Sequence, residues 1–382
     1  MAENTPVKDK HPEAFSPYEK MPTDTNGWTS RHLDAIKQWV ALEKIHGANF
    51  SFTVSAETPG GEIGPARAAK RTAYLKEGEN FYGLCKNRAL LEEEGEKTRR
   101  LFSAVREGHC SDVSSVTVFG ELFGGWYPHP DVPQASNAVK IQREVVYCPE
   151  NRFIAYDVAV THTDNTQEFL DYNVCMQLFS RVGFLYCEPL KAGTLQDMLS
   201  LELGFETKLP VKFNLPPLAD RKNTAEGVVV KPLKNTVLDT RKGPQRVIFK
   251  RKGKEFNERR KPWVPPTSDG GKSRKKKRGD RGEDHEHQVR IETLKYELNA
   301  LVCEQRLVNT ISKRGVPDSE LDWIELTEAL VADVLESGES ENEELWGACG
   351  GPSNEVLDGL REECRQLVEM YRVSESMADV AI

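Results

Sequence analysis

From 258 to 287 the chain runs ERRKPWVPPTSDGGKSRKKKRGDRGEDHEH, a stretch of proline, glycine and charge with almost nothing to bury. Such a segment cannot offset the entropy of ordering itself. It therefore predicts a basic disordered linker, with separate folding units on either side. The hydrophobic period changes across it. Before it, apolar residues alternate in short runs, as at Phe50, Phe52 and Val54, whereas after it they recur at three and four. The expected division is a flexible tail at 1–25, with prolines at 6, 12, 17 and 22, then an α+β domain at 26–257, the linker at 258–287 and a small all-α domain at 288–382.

Within the α+β domain, 48–54, 115–120, 153–160, 227–231 and 247–252 read as strands, and 31–39, 88–105 and 194–203 as helices. Strands at such irregular spacing predict mixed and antiparallel sheets with helices, not a doubly wound parallel sheet. In the all-α domain, Ile291, Leu294, Leu298, Leu301, Val302, Val308 and Ile311 define one apolar stripe. A second helix is expected to start at the capping-box pattern Ser319-Glu320-Leu321-Asp322 and run to about 335. A third follows Val356, Leu360, Cys364, Leu367 and Tyr371.

The net charge of -8 hides a partition. Residues 241–281 carry 17 Lys/Arg against 4 Asp/Glu, and residues 283–382 carry 8 against 24, so a basic stretch adjoins an acidic domain. No apolar run is long enough for a membrane span. The opening MAENTPVKDKHPEAF lacks the basic-then-apolar order of a secretory signal. None of the 8 cysteines forms a C-x-x-C pair, so a disulfide scaffold or a structural zinc site is not expected. Reduced thiols point to cytoplasm or nucleus, with organellar import through an atypical presequence left open. His285-Glu286-His287 lacks a partner cluster for a metal, and Lys272-Ser273-Arg274-Lys275-Lys276-Lys277-Arg278 reads equally as a nuclear signal, an RNA tether or a solvated linker.

The chemistry is written in an ordered series: Glu43-Lys44-Ile45-His46-Gly47-Ala48-Asn49-Phe50, then Ala68-Ala69-Lys70-Arg71-Thr72, Phe119-Gly120-Glu121, Tyr156-Asp157, Glu226-Gly227-Val228-Val229-Val230-Lys231 and Lys250-Arg251-Lys252. Each alone is weak, since a lysine beside a turn glycine is commonplace. As a series they resemble the covalent nucleotidyltransferases: DNA ligases, RNA ligases and mRNA capping enzymes. His46, where DNA ligases and capping enzymes usually carry Asp, resembles the RNA ligase 2 family, which includes phage nick-sealing and trypanosome RNA-editing ligases. Gly120-Glu121-Leu122-Phe123-Gly124-Gly125-Trp126-Tyr127-Pro128-His129-Pro130 is similar to the editing-ligase form. The resemblance continues more weakly into Leu307-Val308-Asn309-Thr310-Ile311-Ser312-Lys313. It implies that 26–257 is an adenylation domain of the nucleotidyltransferase fold.

Physical chemistry runs beside the resemblance. A lysine amine, ordinarily near pKa 10.4, must lose its proton to attack phosphorus. Burial and neighbouring cations favour that loss, and Lys250 and Lys252, two apart on one strand face, would supply the cations and neutralise phosphate. By resemblance Lys44 carries AMP covalently, Glu43 reads the adenine amino group and Glu121 the ribose hydroxyls. Tyr156 would stack on adenine, His46 orient phosphate or pyrophosphate, and Arg71 lie near nucleotide and RNA. Glu226 would hold Mg2+ (or Mn2+), with Asn49 acting through water and Asp157 as a further metal candidate. Family members usually carry Thr where Ala48 stands.

The expectation is an ATP-dependent RNA ligase acting on RNA with 5'-phosphate and 3'-hydroxyl ends, at nicks in duplexes, with a protein partner or a basic face on the acidic helical domain. The alternatives are a DNA ligase or capping-type enzyme, and a non-catalytic RNA-binding scaffold of the same fold.

Overall fold

The computed structural model describes residues 15–58, 60–219, 221–240, 243–256 and 281–380. The chain opens with α1 (Ser30–Ala35), β1 (Trp39–Glu43), β2 (Ala48–Ser55), β3 (Arg67–Lys70), β4 (Ala73–Tyr74), α2 (Arg88–Gly108), β5 (Val113–Gly124) and β6 (Asn151–His162). It continues through β7 (Gln167–Phe169), α3 (Tyr172–Val182), β8 (Pro189–Gly193), α4 (Leu195–Leu199), α5 (Leu209–Lys212), β9 (Gly227–Pro232), β10 (Val237–Thr240), β11 (Gly243–Arg246) and β12 (Phe249–Lys252). The helical region holds α6 (Arg281–Leu301), α7 (Glu304–Arg314), α8 (Glu320–Glu341), α9 (Glu343–Cys349) and α10 (Asn354–Val380).

Two antiparallel sheets organise the first domain. One has the order β4-β3-β2-β5-β6-β7 and the other β12-β9-β1-β8, with β10-β11 a separate hairpin. The alternation at Phe50, Phe52 and Val54 buries all three against α2 and α3, in a core with Phe102, Val118, Phe153 and Phe179. A second core, with Trp39, Val228, Val230 and Phe249, forms on the smaller sheet. The α+β expectation of mixed antiparallel sheets with helices, followed by an all-α region, holds.

Three expectations change. The helix expected at 31–39 stops at Ala35, and Trp39 opens a strand buried at all five positions. A strand covered on both faces carries no alternation, so Trp39-Val40-Ala41-Leu42 could not be told from a buried helix by period. The single stripe from Ile291 to Ile311 is two helices, with Val302-Cys303 between α6 and α7. Residues 15–25, expected as tail, pack on the domain: Tyr18 is 3% exposed and the Lys250 amide donates to the Pro22 carbonyl at 2.9 Å. Residues 1–14 of the expected tail and 258–280 of the expected linker lie outside the described residues, whereas 281–287, also expected as linker, form the first turns of α6.

The capping box is as expected. The Ser319 hydroxyl accepts from the Asp322 amide, and the Asp322 carboxylate accepts from the Ser319 amide at 3.0 Å. The helical region buries Leu294, Leu298, Leu307, Leu330 and Leu360 in its own core, each contributing about 1.5–3 kcal/mol. No helix among the described residues is long and apolar enough to cross a membrane.

Candidate active site

A cleft of about 640 Å3 opens between the two sheets, and residues of the helical region line its mouth. Glu43 ends β1, and the Lys44 amide donates to the Gly227 carbonyl at 2.9 Å, which carries the pairing of β1 with β9 one residue past the strand and fixes Lys44 beside Glu226. Gly47 makes the crossing to β2 possible, since a Cβ there would stand 2.3 Å from the Leu122 carbonyl oxygen. Asn49 on β2 pairs directly with Glu121 on β5, and Lys252 on β12 pairs with Gly227 on β9. All the residues singled out from the sequence line the cleft: Glu43, Lys44, His46, Asn49, Arg71, Glu121, Tyr156, Asp157, Glu226, Lys250 and Lys252.

Glu226 is the hub. Its Oε2 lies 2.6 Å from Lys44 Nζ and 3.1 Å from His46 Nδ1, and its Oε1 lies 3.0 Å from Lys252 Nζ. Burial alone would raise this carboxyl, but Lys44, Lys252 and His46 outweigh it and hold it well below the usual carboxylate range. His46 spans two acids, with Nε2 2.8 Å from Glu144 Oε2. Burial would lower the imidazole, yet hydrogen bonds to Glu144 and Glu226 carry it above its ordinary value. The His46 amide donates to the buried Tyr147 hydroxyl at 2.8 Å, which fixes this segment. The ion closest to Lys44 is thus Glu226, and Lys252 answers the same carboxylate.

Two other carboxyls face the cleft with less support. Glu43 is 7% exposed, its Oε2 accepts from the Lys208 amide at 3.4 Å, and Oε1 is buried without a hydrogen-bond partner among the described residues. Burial pushes it up, with Thr207 and the Lys208 amide working the other way. Burial also pushes Glu121 up to about 7, with Lys44 opposing and Glu226 adding to the rise. The hydroxyl of Tyr156 finds its partner in Asn49, whose Nδ2 donates at 2.5 Å. A divalent ion prefers oxygen ligands; at Glu226 it would have to take the place of Lys44 or Lys252, whereas Glu121 has no ion pair among the described residues.

Asp157 does not fit a metal role. Its Oδ1 lies 2.6 Å from Lys231 Nζ, and its Oδ2 accepts from the Tyr18 hydroxyl at 2.6 Å and from Arg246 at 2.9 Å. It is 1% exposed, and although burial would raise it, Arg246 and Lys231 hold it below its ordinary value. With both oxygens committed to protein cations, it fastens β6 to β9 and to residues 15–25.

Sequence reasoning missed Glu144, Tyr147, Tyr18 and Arg246, and the pairing of Lys231 with Asp157, because these roles depend on partners far along the chain. It also missed Arg306 and Lys313 on α7. Both line the cleft, and both pair with Asp333 on α8, Arg306 at 2.6 Å.

A family model described as RNA ligase matches residues 37–252. RNA-editing ligase 1, mitochondrial, of Trypanosoma brucei brucei is 31% identical over 256 residues, 59% of this chain and 53% of that protein. The chain therefore spans about half the length of that relative. RNA-editing ligase 2, mitochondrial, of the same organism is 28% identical over 353 residues, 82% of this chain and 81% of that one. Among solved structures, a Naegleria gruberi RNA ligase variant with ATP and Mn matches at 12% identity and TM-score 0.40, covering 64% of this chain and 58% of that chain. With more than half of its residues inside the family match, and with Lys44, Glu121, Glu226 and Lys252 of the cleft among them, this chain belongs to the RNA ligase family.

Proposed function

We propose that the protein is an ATP-dependent RNA ligase that joins 5'-phosphate to 3'-hydroxyl RNA ends, at nicks in duplexes, through a covalent lysine-AMP intermediate. The observation that supports this reading is that Lys44 lines one cleft together with Lys250, Lys252 and Arg71, cations for phosphate, and with Glu43, whose buried Oε1 has no hydrogen-bond partner among the described residues.

Glu43 Oε1 is the acceptor for the adenine amino group, which favours ATP over GTP. Tyr156 offers its ring to the base and Glu121 its carboxyl to the ribose hydroxyls. Lys44 Nζ, once deprotonated, attacks the α-phosphorus: an N–P bond forms, the bond to the bridging oxygen breaks and pyrophosphate leaves. The RNA 5'-phosphate next attacks that phosphorus, releasing Lys44 and giving an adenylated end. The 3'-hydroxyl then displaces AMP and a phosphodiester forms. Each displacement is in line, so the chain's share of the rate is positioning and charge neutralisation by Lys250, Lys252, His46 and Arg71. Glu226, with the Asn49 amide oxygen through water, would hold Mg2+ or Mn2+, which when bound supplies charge neutralisation on the triphosphate.

The names of the relatives make RNA editing in a mitochondrion one setting for this activity, beside repair in cytoplasm or nucleus. The acidic outer surface of the helical region is the face for a protein partner, its charge opposing RNA there.

Incubation with α-labelled ATP and Mg2+, followed by peptide mapping, tests the chemistry. Label should reside on the Lys44 peptide and vanish in Lys44→Ala. Normal labelling of that variant would overturn the assignment. Intact mass taken beforehand identifies chain already carrying AMP. Label from ATP and not GTP, then sealing of RNA nicks in preference to DNA nicks, supports the RNA ligase reading over capping and DNA ligase chemistry. A folded, AMP-free chain that takes no label would be a scaffold.

A further inference from the structure

At the end of β5 away from the cleft, three side chains with no part in the chemistry above converge. Cys110 follows α2, Asp112 precedes β5 and His162 ends β6. Nine residues of strand separate Asp112 from Glu121, a distance of about 30 Å. One donor atom from each of the three lies within 4.8 Å of the others. Cys110 Sγ is 3.4 Å and Asp112 Oδ2 3.3 Å from His162 Nδ1, and Sγ is 2.8 Å from Asp112 Oδ1.

We propose that Cys110, Asp112 and His162 form a binding site for a zinc-class divalent ion, which clamps the end of α2 to strands β5 and β6. Zinc bonds of about 2.0–2.3 Å in a tetrahedron place a sulfur, a nitrogen and an oxygen about 3.3–3.6 Å apart. Two of the three separations here already have those lengths, and the third reaches it when the thiol proton leaves and the hydrogen bond to Asp112 opens. His162 is set as a metal-binding imidazole is: Nδ1 faces the cluster while Nε2 lies 3.3 Å from Glu168 Oε1 on β7, a carboxylate that fixes ring and tautomer.

The backbone around the cluster is held as well. The Thr163 amide donates to the Asp112 carbonyl at 2.9 Å, and the Ser114 hydroxyl donates to the His162 carbonyl at 3.0 Å. Thiolate and imidazole favour zinc over the magnesium-class ions expected at Glu226, and the fourth position is open to water. Ion pairs this exposed contribute little by themselves, so mutual hydrogen bonding alone is a weak reason for the arrangement. The ligands come from the loop between α2 and β5 and from the end of β6, some fifty residues apart, which is why no C-x-x-C spacing announced them.

The test is titration of the full chain with Co2+, read by the thiolate-to-cobalt absorption band, which oxygen ligands in the cleft cannot produce. One equivalent should give the band, Zn2+ should remove it, and Cys110→Ser should abolish it. Glu168→Gln should weaken binding about 10-fold or more. Absence of the band, or its persistence in Cys110→Ser, would overturn the site. Circular dichroism checks folding. If Cys110→Ser misfolds, Asp112→Asn and His162→Gln decide, since unchanged Co2+ affinity in both would also overturn it.

Discussion

Glu121 faces the cleft with no hydrogen bond or ion pair among the described residues, and burial pushes it from an ordinary 4.5 up to about 7. The folded chain therefore keeps a proton that the unfolded chain gives up. Stability from this group is present below pH 4.5 and is lost as pH rises through 7, by roughly 1–3 kcal/mol. Glu121→Gln should remove that loss. Denaturant unfolding at pH 5 and pH 8 should show the variant gaining on the parent at the higher pH, and parallel shifts at both would contradict the assignment. At this scale much of the site was legible. Lys44, His46, Glu121, Glu226, Lys250 and Lys252 each sit beside a strand end or a glycine, where local sequence marks a chain approaching a ligand. Asp157 was misread because its local setting resembles theirs. What makes it structural is Tyr18, 139 residues away, and Lys231, 74 away, and no local pattern carries such distances.

Strand β9 shows how a single backbone position aligns several charges. Gly227 has φ +151°, and a Cβ there would stand 2.0 Å from the Arg251 carbonyl oxygen. Its own carbonyl accepts from the Lys44 amide, and it pairs with Lys252. Gly227→Ala must push β12 away, moving Lys250 and Lys252 together and tilting Glu226 off Lys44. The expected result is a destabilisation of about 1–3 kcal/mol. Lys44 labelling should fall by at least about 100-fold, because a misplacement near 1 Å is that damaging. Thermal unfolding read beside labelling at a temperature where both proteins are folded separates the two effects, and full labelling would show that the register is not what places the cations. β2 was readable from alternation because polar Ser51 and Thr53 interleave with apolar Phe50, Phe52 and Val54, although both of its faces are buried. β1 was not, because apolar residues fill both of its faces and erase the period, and with it went the information that Glu43 closes a strand shared with β9.

The two halves of the molecule meet at the cleft, and this is where the charge partition acquires a structural meaning. The helical region is strongly acidic overall, yet α7 turns Arg306 and Lys313 to the cleft mouth, with Asp333 between them. Glu336 of α8 reaches Lys20 at 2.8 Å, and Lys70 lies 3.5 Å from the Arg314 carbonyl, so both edges of the mouth are tied to the helices. A helical region that is acidic overall but turns cations to the cleft mouth repels a polyanion from the rest of its own surface and admits it at that edge. The sequence disclosed the acidic domain and the period of its helices, but not which face of α7 turns inward. That depends on docking across the stretch from 257 to 280, outside the described residues. Arg306, 3% exposed and bonded to Asp333, Ser337 and the Leu301 carbonyl, is fixed in the fold. Lys313 is the more accessible cation of the pair, at 33%. If RNA phosphate passes this edge, Lys313→Ala should weaken nicked-RNA binding evenly across sequences and lower the slope of log affinity against log salt by about 1. Arg314→Ala serves as the comparison, because Arg314 is 41% exposed and pairs outward with Glu325. Equal losses from both variants would mean a diffuse field, while a loss confined to Lys313 would place the RNA path across α7 into the cleft.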